Sequence, residues 1–204
     1  MRAKPKHFAI MFSLLLGGCL SYQVSERYYE PEGPGRLEPS PAKPGPPMQL
    51  DIAAPSLRKL TVRAAPSSQY AMVCVLIAPQ QDASVEIGAS IIRGAHLSSG
   101  ESLLRLHDYY QVVFSPNEWN FRETMPRTVT LPTRITGTRR AGDGIGALRD
   151  DRWLGLSACS EVATTSDQFV VDFESVTIDG APFPISSVRF LAKTGTFTLL
   201  RSPS

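Results

Sequence analysis

The chain is poor in the residues that most enzymes use for chemistry. Its 204 residues include three histidines, three cysteines and two tryptophans. Only His96 and His107 lie beyond the first seven residues. A metal centre needs more imidazoles than this, or carboxylates at ligand spacing, so no metal site and no cofactor are expected. Ser102, His107 and Asp108 do not make a nucleophile–base–acid set, because adjacent residues on a strand point to opposite faces. No Gly-x-Ser-x-Gly elbow exposes a serine. Gly142, Gly144 and Gly146 in AGDGIGALRDD miss the dinucleotide spacing by one residue, and no Gly-Lys-Ser/Thr phosphate loop is present. A non-enzymatic protein is the expectation.

Long apolar runs are also missing. The stretch Phe8–Leu16 has nine residues. As a helix it would rise about 14 Å at roughly 1.5 Å per residue. A bilayer core of about 30 Å calls for around twenty. It follows MRAKPKH, which carries Arg2, Lys4 and Lys6 and no acid. A basic start, a short apolar middle and small residues afterwards make a secretory signal peptide, assigned here to residues 1–18. Three of the 21 basic residues leave with it. The remainder has 18 Lys and Arg against 19 Asp and Glu, a net charge of −1. That balance offers no electrostatic footprint for nucleic acid.

The end of the leader is more specific. Leu16-Gly17-Gly18-Cys19 resembles the lipobox of bacterial lipoproteins. The resemblance implies that Cys19 becomes the first mature residue and carries a thioether-linked diacylglycerol, palmitate being a typical acyl chain. Leu20 is not the aspartate that retains such proteins at the inner membrane, which implies an outer-membrane protein facing the periplasm. Two or more acyl chains hold a protein stably at a bilayer without a transmembrane segment. With Cys19 lipidated, Cys74 and Cys159 remain, an even pair in an oxidising compartment. They are expected to form a disulfide; the alternative is two unpaired thiols acting as small buried apolar residues.

Proline is abundant in one place. EPEGPGRLEPSPAKPGPP, residues 30–47, holds seven of the 17 prolines. Proline fixes φ and removes a donor, so residues 19–50 are expected to form an extended tether. Its Pro-rich part would reach on the order of 50 Å. Residues 51–204 then form a single domain.

The patterns in that domain have period two. KLTVRA, SVEIGASI, TVTLPTRIT and QFVVDFESVTI alternate apolar and polar residues, and AMVCVLIA is apolar throughout, as a strand buried on both faces would be. Asp179-Gly180 is turn chemistry, and SVRFLAK and GTFTLLR read as two strands parted at Thr194-Gly195. The best helix candidate is GALRDDRWLGL, residues 146–156. These signals predict a mainly β fold, a β-sandwich of about seven to nine strands with at most one or two short helices.

Two clusters are candidates for a binding surface. NEWNFRE supplies Glu118, Trp119 and Phe121, and RDDRW supplies Asp150, Asp151 and Trp153. Aromatic faces beside carboxylates suit sugars, while the same residues also serve as core or rim. The layout of lipid anchor, spacer and β domain is similar to that of lipoproteins serving secretion machines or activating peptidoglycan synthases. It implies an accessory component of a cell-envelope assembly acting through protein–protein contacts, held to the membrane by its lipid. The alternative is a module binding glycan, peptidoglycan or lipid.

Overall fold

The computed structural model describes residues 20–39, 47–67, 69–97, 100, 104–114, 127–137, 153–163 and 166–201. Every regular element among them is a strand, and every strand pair is antiparallel. The fold is mainly β, as expected, though the fifteen strands among the described residues exceed the seven to nine expected. Several predicted strands are cut into shorter ones that serve different sheets.

The largest sheet has seven strands. It contains β2 (Arg36–Pro39), β3 (Pro47–Asp51), β4 (Leu57–Pro66), β5 (Ala71–Pro79), β8 (Leu104–Phe114), β9 (Arg127–Thr128) and β11 (Trp153–Val162). Their order is β2-β3-β4-β5-β11-β8-β9. A four-stranded sheet is formed by β1 (Leu20–Glu32), β7 (Ile92–His96), β12 (Gln168–Phe173) and β15 (Val188–Arg201), in the order β1-β15-β12-β7. The third sheet, ordered β10-β6-β13-β14, holds β6 (Ser84–Ile87), β10 (Thr133–Thr136), β13 (Val176–Ile178) and β14 (Ala181–Phe183).

One apolar core draws on all three sheets in a sandwich-like arrangement. Leu60, Val62, Val73, Val75, Ile77 and Leu156 come from the large sheet, Phe169, Val171, Val188 and Phe190 from the second, and Val85, Ile87, Val176 and Ile178 from the third. Strand β5 is buried on both faces, as its unbroken apolar sequence predicts. Its odd-numbered residues enter this core, while Cys74, Leu76 and Ala78 form a second cluster with Met72 and Cys159 on the other face. Cys74 and Cys159 are direct cross-strand partners of β5 and β11 and are joined as a disulfide.

The N-terminal boundary needs correction. Residues 19–50 are predicted as a tether, yet Leu20–Glu32 is a 13-residue strand paired with β15 along its whole length. Tyr29 is buried at 2% exposure, edge-on to Phe169 with ring centroids 5.1 Å apart, and Phe169 stacks on Phe190 at 5.1 Å. Arg27 lies over the Tyr29 ring at 5.6 Å and donates to the Ser166 carbonyl at 3.1 Å and to Asp167. Strands β2 and β3 also come from the predicted tether; residues 40–46 lie outside the described residues. The prolines defeat helix, but Pro31 and Pro39 are tolerated in strands at the margins of sheets.

Three smaller differences have local causes. Trp153–Leu156, expected at the end of a helix, instead opens β11, where pairing with β5 and β8 overrides a weak helical pattern; residues 146–152 lie outside the described residues. Thr194-Gly195 does not interrupt β15, because β1 pairs across it without a register shift. The alternation of SVEIGASI stops after Ile87, and the chain leaves β6 for β7 in another sheet.

Candidate functional site

The residues singled out in the sequence fall mostly outside the described residues. This holds for Cys19, Glu118, Trp119, Phe121, Asp150 and Asp151. The backbone of Trp153 is described, and it pairs with Phe114 at the end of β8. Glu118 follows Phe114 by four residues and Asp151 precedes Trp153 by two. The last described residue before the first cluster, Phe114, and the first described residue after Asp151, Trp153, are therefore cross-strand partners, while the clusters' other residues lie outside the described residues. The pairing of Phe114 with Trp153 is a product of topology, invisible in a sequence that separates them by 39 positions.

A second site, not foreseen in the sequence, is built where three connections meet. The loop before β4 supplies Ser56, with Arg58 just inside the strand; the loop between β5 and β6 supplies Gln80, Gln81, Asp82 and Ala83; and the β13–β14 turn supplies Asp179. Together they line an open cavity of about 450 Å³. Its lining holds one guanidinium, two carboxylates, two amides and a hydroxyl. Arg58, Gln80, Gln81, Asp82 and Asp179 are all exposed, and only Ala83 is buried.

The geometry of this site is over-determined. Asp179 and Gly180 take φ of 49° and 83°, the left-handed pair that a two-residue hairpin needs. Ser56 is also left-handed, at φ 56°. Conformations of this kind cost on the order of 1–3 kcal/mol and persist only when surrounding structure holds them. Here the holders are identifiable. The Asp179 carboxylate accepts from the Ser84 backbone N–H at 2.8 Å, and the Asp179 N–H returns a bond to the Ser84 carbonyl at 2.9 Å. The Ser56 carbonyl accepts from the Gln80 N–H at 2.8 Å. Behind the loop, Gly137 donates to the Ala83 carbonyl at 3.0 Å, and a Cβ at Gly137 would sit 1.7 Å from the Gln80 oxygen.

These contacts set the charge of the site. The Ser84 N–H, then the Ser56 hydroxyl, and more weakly the Arg134 guanidinium hold the Asp179 carboxyl below its ordinary value. Such a group stays ionised and accepts hydrogen bonds; it does not donate a proton as a general acid. Arg134 also donates to the Ser84 hydroxyl at 3.1 Å and pairs with Glu86 at 3.5 Å.

A separate polar group lies on the second sheet. Asp172 accepts from the Ser187 hydroxyl at 2.5 Å and faces His96 Nδ1 at 3.4 Å. The carboxylate stands between serine and histidine, so the histidine is not placed to take a proton from that serine. His107 and Asp108 occupy successive positions of β8, opposite Ser160 and Cys159 of β11. Among the described residues no group of three or more His, Cys, Asp or Glu is placed to hold a metal ion. Nor does any helix among them have the length and apolarity to cross a membrane.

The C-terminal end of β1, rather than its start, leads toward the strands that border the polar cavity. The C-terminal end of β1 runs into Gly33, packed against Leu50 and Val188, and Gly35 meets the Asp51 carbonyl. Asp51 in turn binds Lys59 and Thr61 of β4, next to Arg58 in the cavity. From that end β1 runs back twelve residues to Leu20. At about 3.3 Å per residue this is on the order of 40 Å of strand. Comparison with protein-family models, curated proteins and solved structures finds no match, so the chemistry of these surfaces carries the functional reading alone.

Proposed function

We propose that this chain is an outer-membrane lipoprotein, anchored through Cys19 and facing the periplasm, that acts as a non-catalytic accessory component of a cell-envelope assembly. It contacts a protein partner through the loop cluster of Ser56, Arg58, Gln80, Gln81, Asp82 and Asp179. The observation that carries this reading is the presentation of exposed, mixed-charge side chains by loops held in place through hydrogen bonds at one corner of the fold. Small-molecule sites are mostly apolar and enclose most of their ligand. A shallow, polar, exposed cavity held by strained loops suits the surface of a larger partner, where polar groups set register. The Cys74–Cys159 disulfide supports an oxidising compartment, which agrees with export.

A photo-crosslinking residue in place of Gln81, in the lipidated chain within intact envelopes, tests the proposal. One discrete protein adduct is expected, lost when Arg58→Glu and Asp82→Lys are introduced together. Adducts spread over many proteins, or unchanged by that pair, would count against it. The same polar lining also favours a second reading, in which the cavity takes the hydroxyls and carboxylates of a peptidoglycan fragment. Saturable binding of soluble muropeptides to the isolated protein, abolished by Arg58→Glu, would establish that reading instead.

A further inference from the structure

The disulfide lies on the face of the large sheet opposite the core, and its two sulfurs have different surroundings. Cys74 and Cys159 are joined directly across β5 and β11. Cys74 is buried at 5% exposure and clusters with Leu76 and Ala78, both fully buried. Among residues 154–160 of β11, only Cys159 is not buried. The side of the bond that faces water is therefore Cys159.

Charge is distributed as unevenly as exposure. Arg63 of β4 is the cross-strand partner of Cys74. Directly opposed residues of antiparallel strands share a face, with Cβ atoms about 5 Å apart. Burial lowers the proton affinity of the Arg63 guanidinium, a direction that a neighbouring anion offsets. The β3 partner of Arg63 is the neutral Gln49, and Asp51 further along β3 is bound by Lys59 and Thr61. Around Cys159 the charged positions are acidic: Glu161 lies two residues along β11, and Asp108 holds the β8 position opposite. Ser157, two residues the other way, brings its hydroxyl oxygen to 3.7 Å from the Cys159 sulfur. Negative charge left on one sulfur is thus held better at Cys74 than at Cys159.

We propose that Cys159 is a thiol-exchange site for a low-molecular-weight thiol, with Cys74 as the leaving and resolving sulfur. The thiolate of the incoming molecule attacks Cys159 Sγ. A bond forms between those two sulfurs, the Cys74–Cys159 bond breaks, and its electron pair departs on Cys74 Sγ beside Arg63. A sulfur whose thiolate is stabilised by a cation is the better leaving group. A small reagent fits because Cys159 is only partly open to water, with buried neighbours on either side along β11. In the return step the Cys74 thiolate attacks Cys159 Sγ and expels the thiol. Backbone pairing of β5 with β11 from Ala71–Val162 to Ile77–Leu156 does not depend on the bond, so the sulfurs stay opposed and closure is intramolecular. The exchange itself transfers no net electrons. Net reduction needs a second thiolate, which removes the first as a small disulfide and leaves both cysteines as thiols protonated by water.

The full chain carrying Cys19→Ser, which removes the third thiol, tests this in its oxidised, folded state with glutathione as the reagent. The protein is exposed briefly at neutral pH, quenched in acid, alkylated with N-ethylmaleimide and mapped by peptide mass. Glutathione on Cys159 with maleimide on Cys74 is expected in several-fold excess over the opposite arrangement. The excess should vanish in urea, where neither burial nor register distinguishes the sulfurs. Equal labelling of the folded protein, or glutathione chiefly on Cys74, overturns the proposal. Arg63 acts here as a positioning residue for charge. Arg63→Gln should reduce the excess in the folded, oxidised protein, and Arg63→Lys should restore it. An excess unchanged by Arg63→Gln, or lost equally in both variants, overturns the part assigned to Arg63.

Discussion

Opening the Cys74–Cys159 bond should cost the domain a large part of its stability. The two cysteines are separated by 85 residues in sequence and are cross-strand partners in the centre of the large sheet. The strands β5 and β11 are already paired in the folded state, so the bond adds little there. Its main effect is on the unfolded chain, where it forbids extended conformations of an 85-residue loop. The loop-closure relation gives about 4.5 kcal/mol at 25 °C for that length. Domains of this size have roughly 5–15 kcal/mol in total. In urea, with m of about 2 kcal/mol/M, the Cys74→Ala, Cys159→Ala chain should unfold about 2 M earlier. Its m-value should also rise, because an unlinked chain exposes more surface on unfolding. Reduced wild type and the double variant share the same unlinked unfolded state; a difference between them isolates the packing of sulfur against Leu76, Ala78 and Met72. A midpoint shift below about 0.5 M, or two thiols titrating in the unreduced, denatured Cys19→Ser protein, would refute the reasoning.

The loop cluster and the core allow three further tests. Asp179→Asn keeps a residue that tolerates the left-handed turn and removes the charge. A carboxyl held below its ordinary value of 3.8 stabilises the fold above that value and loses the contribution as pH falls through its lower folded value. The wild type should therefore be the more stable at pH 7, and the two chains should converge in acid; a pH-independent difference in urea midpoints would contradict the assignment. Gly137→Ala places a Cβ against the Gln80 carbonyl and must displace the 80–83 loop. Loss of crosslinking from residue 81, with the disulfide and overall β circular dichroism retained, is the expected result. Phe169→Ala removes a ring at 1% exposure that contacts both Tyr29 and Phe190. It should cost about 3–5 kcal/mol, lowering Tm by roughly 10 °C, and should increase hydrogen exchange in β1 as well as β12. Unchanged exchange in β1 would show that Tyr29 does not hold that strand to the body.

Local chemistry wrote some features directly into the sequence. The apolar run Ala71–Pro79 announces a strand buried on both faces because no polar residue marks a wet side. Asp179-Gly180 announces its turn because few other residue pairs accept two positive φ values. Phe169, Val171 and Phe173 lie inward as their alternation demands. The expected pairing of Cys74 with Cys159 is the one the structure holds. Other features depended on partners distant in the chain. Nothing in LSYQVSERYYEPE distinguishes a tether from an edge strand, and β15, more than 150 residues later, decides it by pairing through all thirteen residues. The polar loop cluster is equally nonlocal. Ser56, Gln80 and Asp179 are ordinary loop residues singly, and they become a site only because β4, β5 and β13 end at one corner of the fold. The sequence by itself determined much of the strand and turn structure, which are properties of neighbours along the chain. The tertiary structure decided which residues share a face or a corner, because these are defined by residues that meet only after long loops have closed.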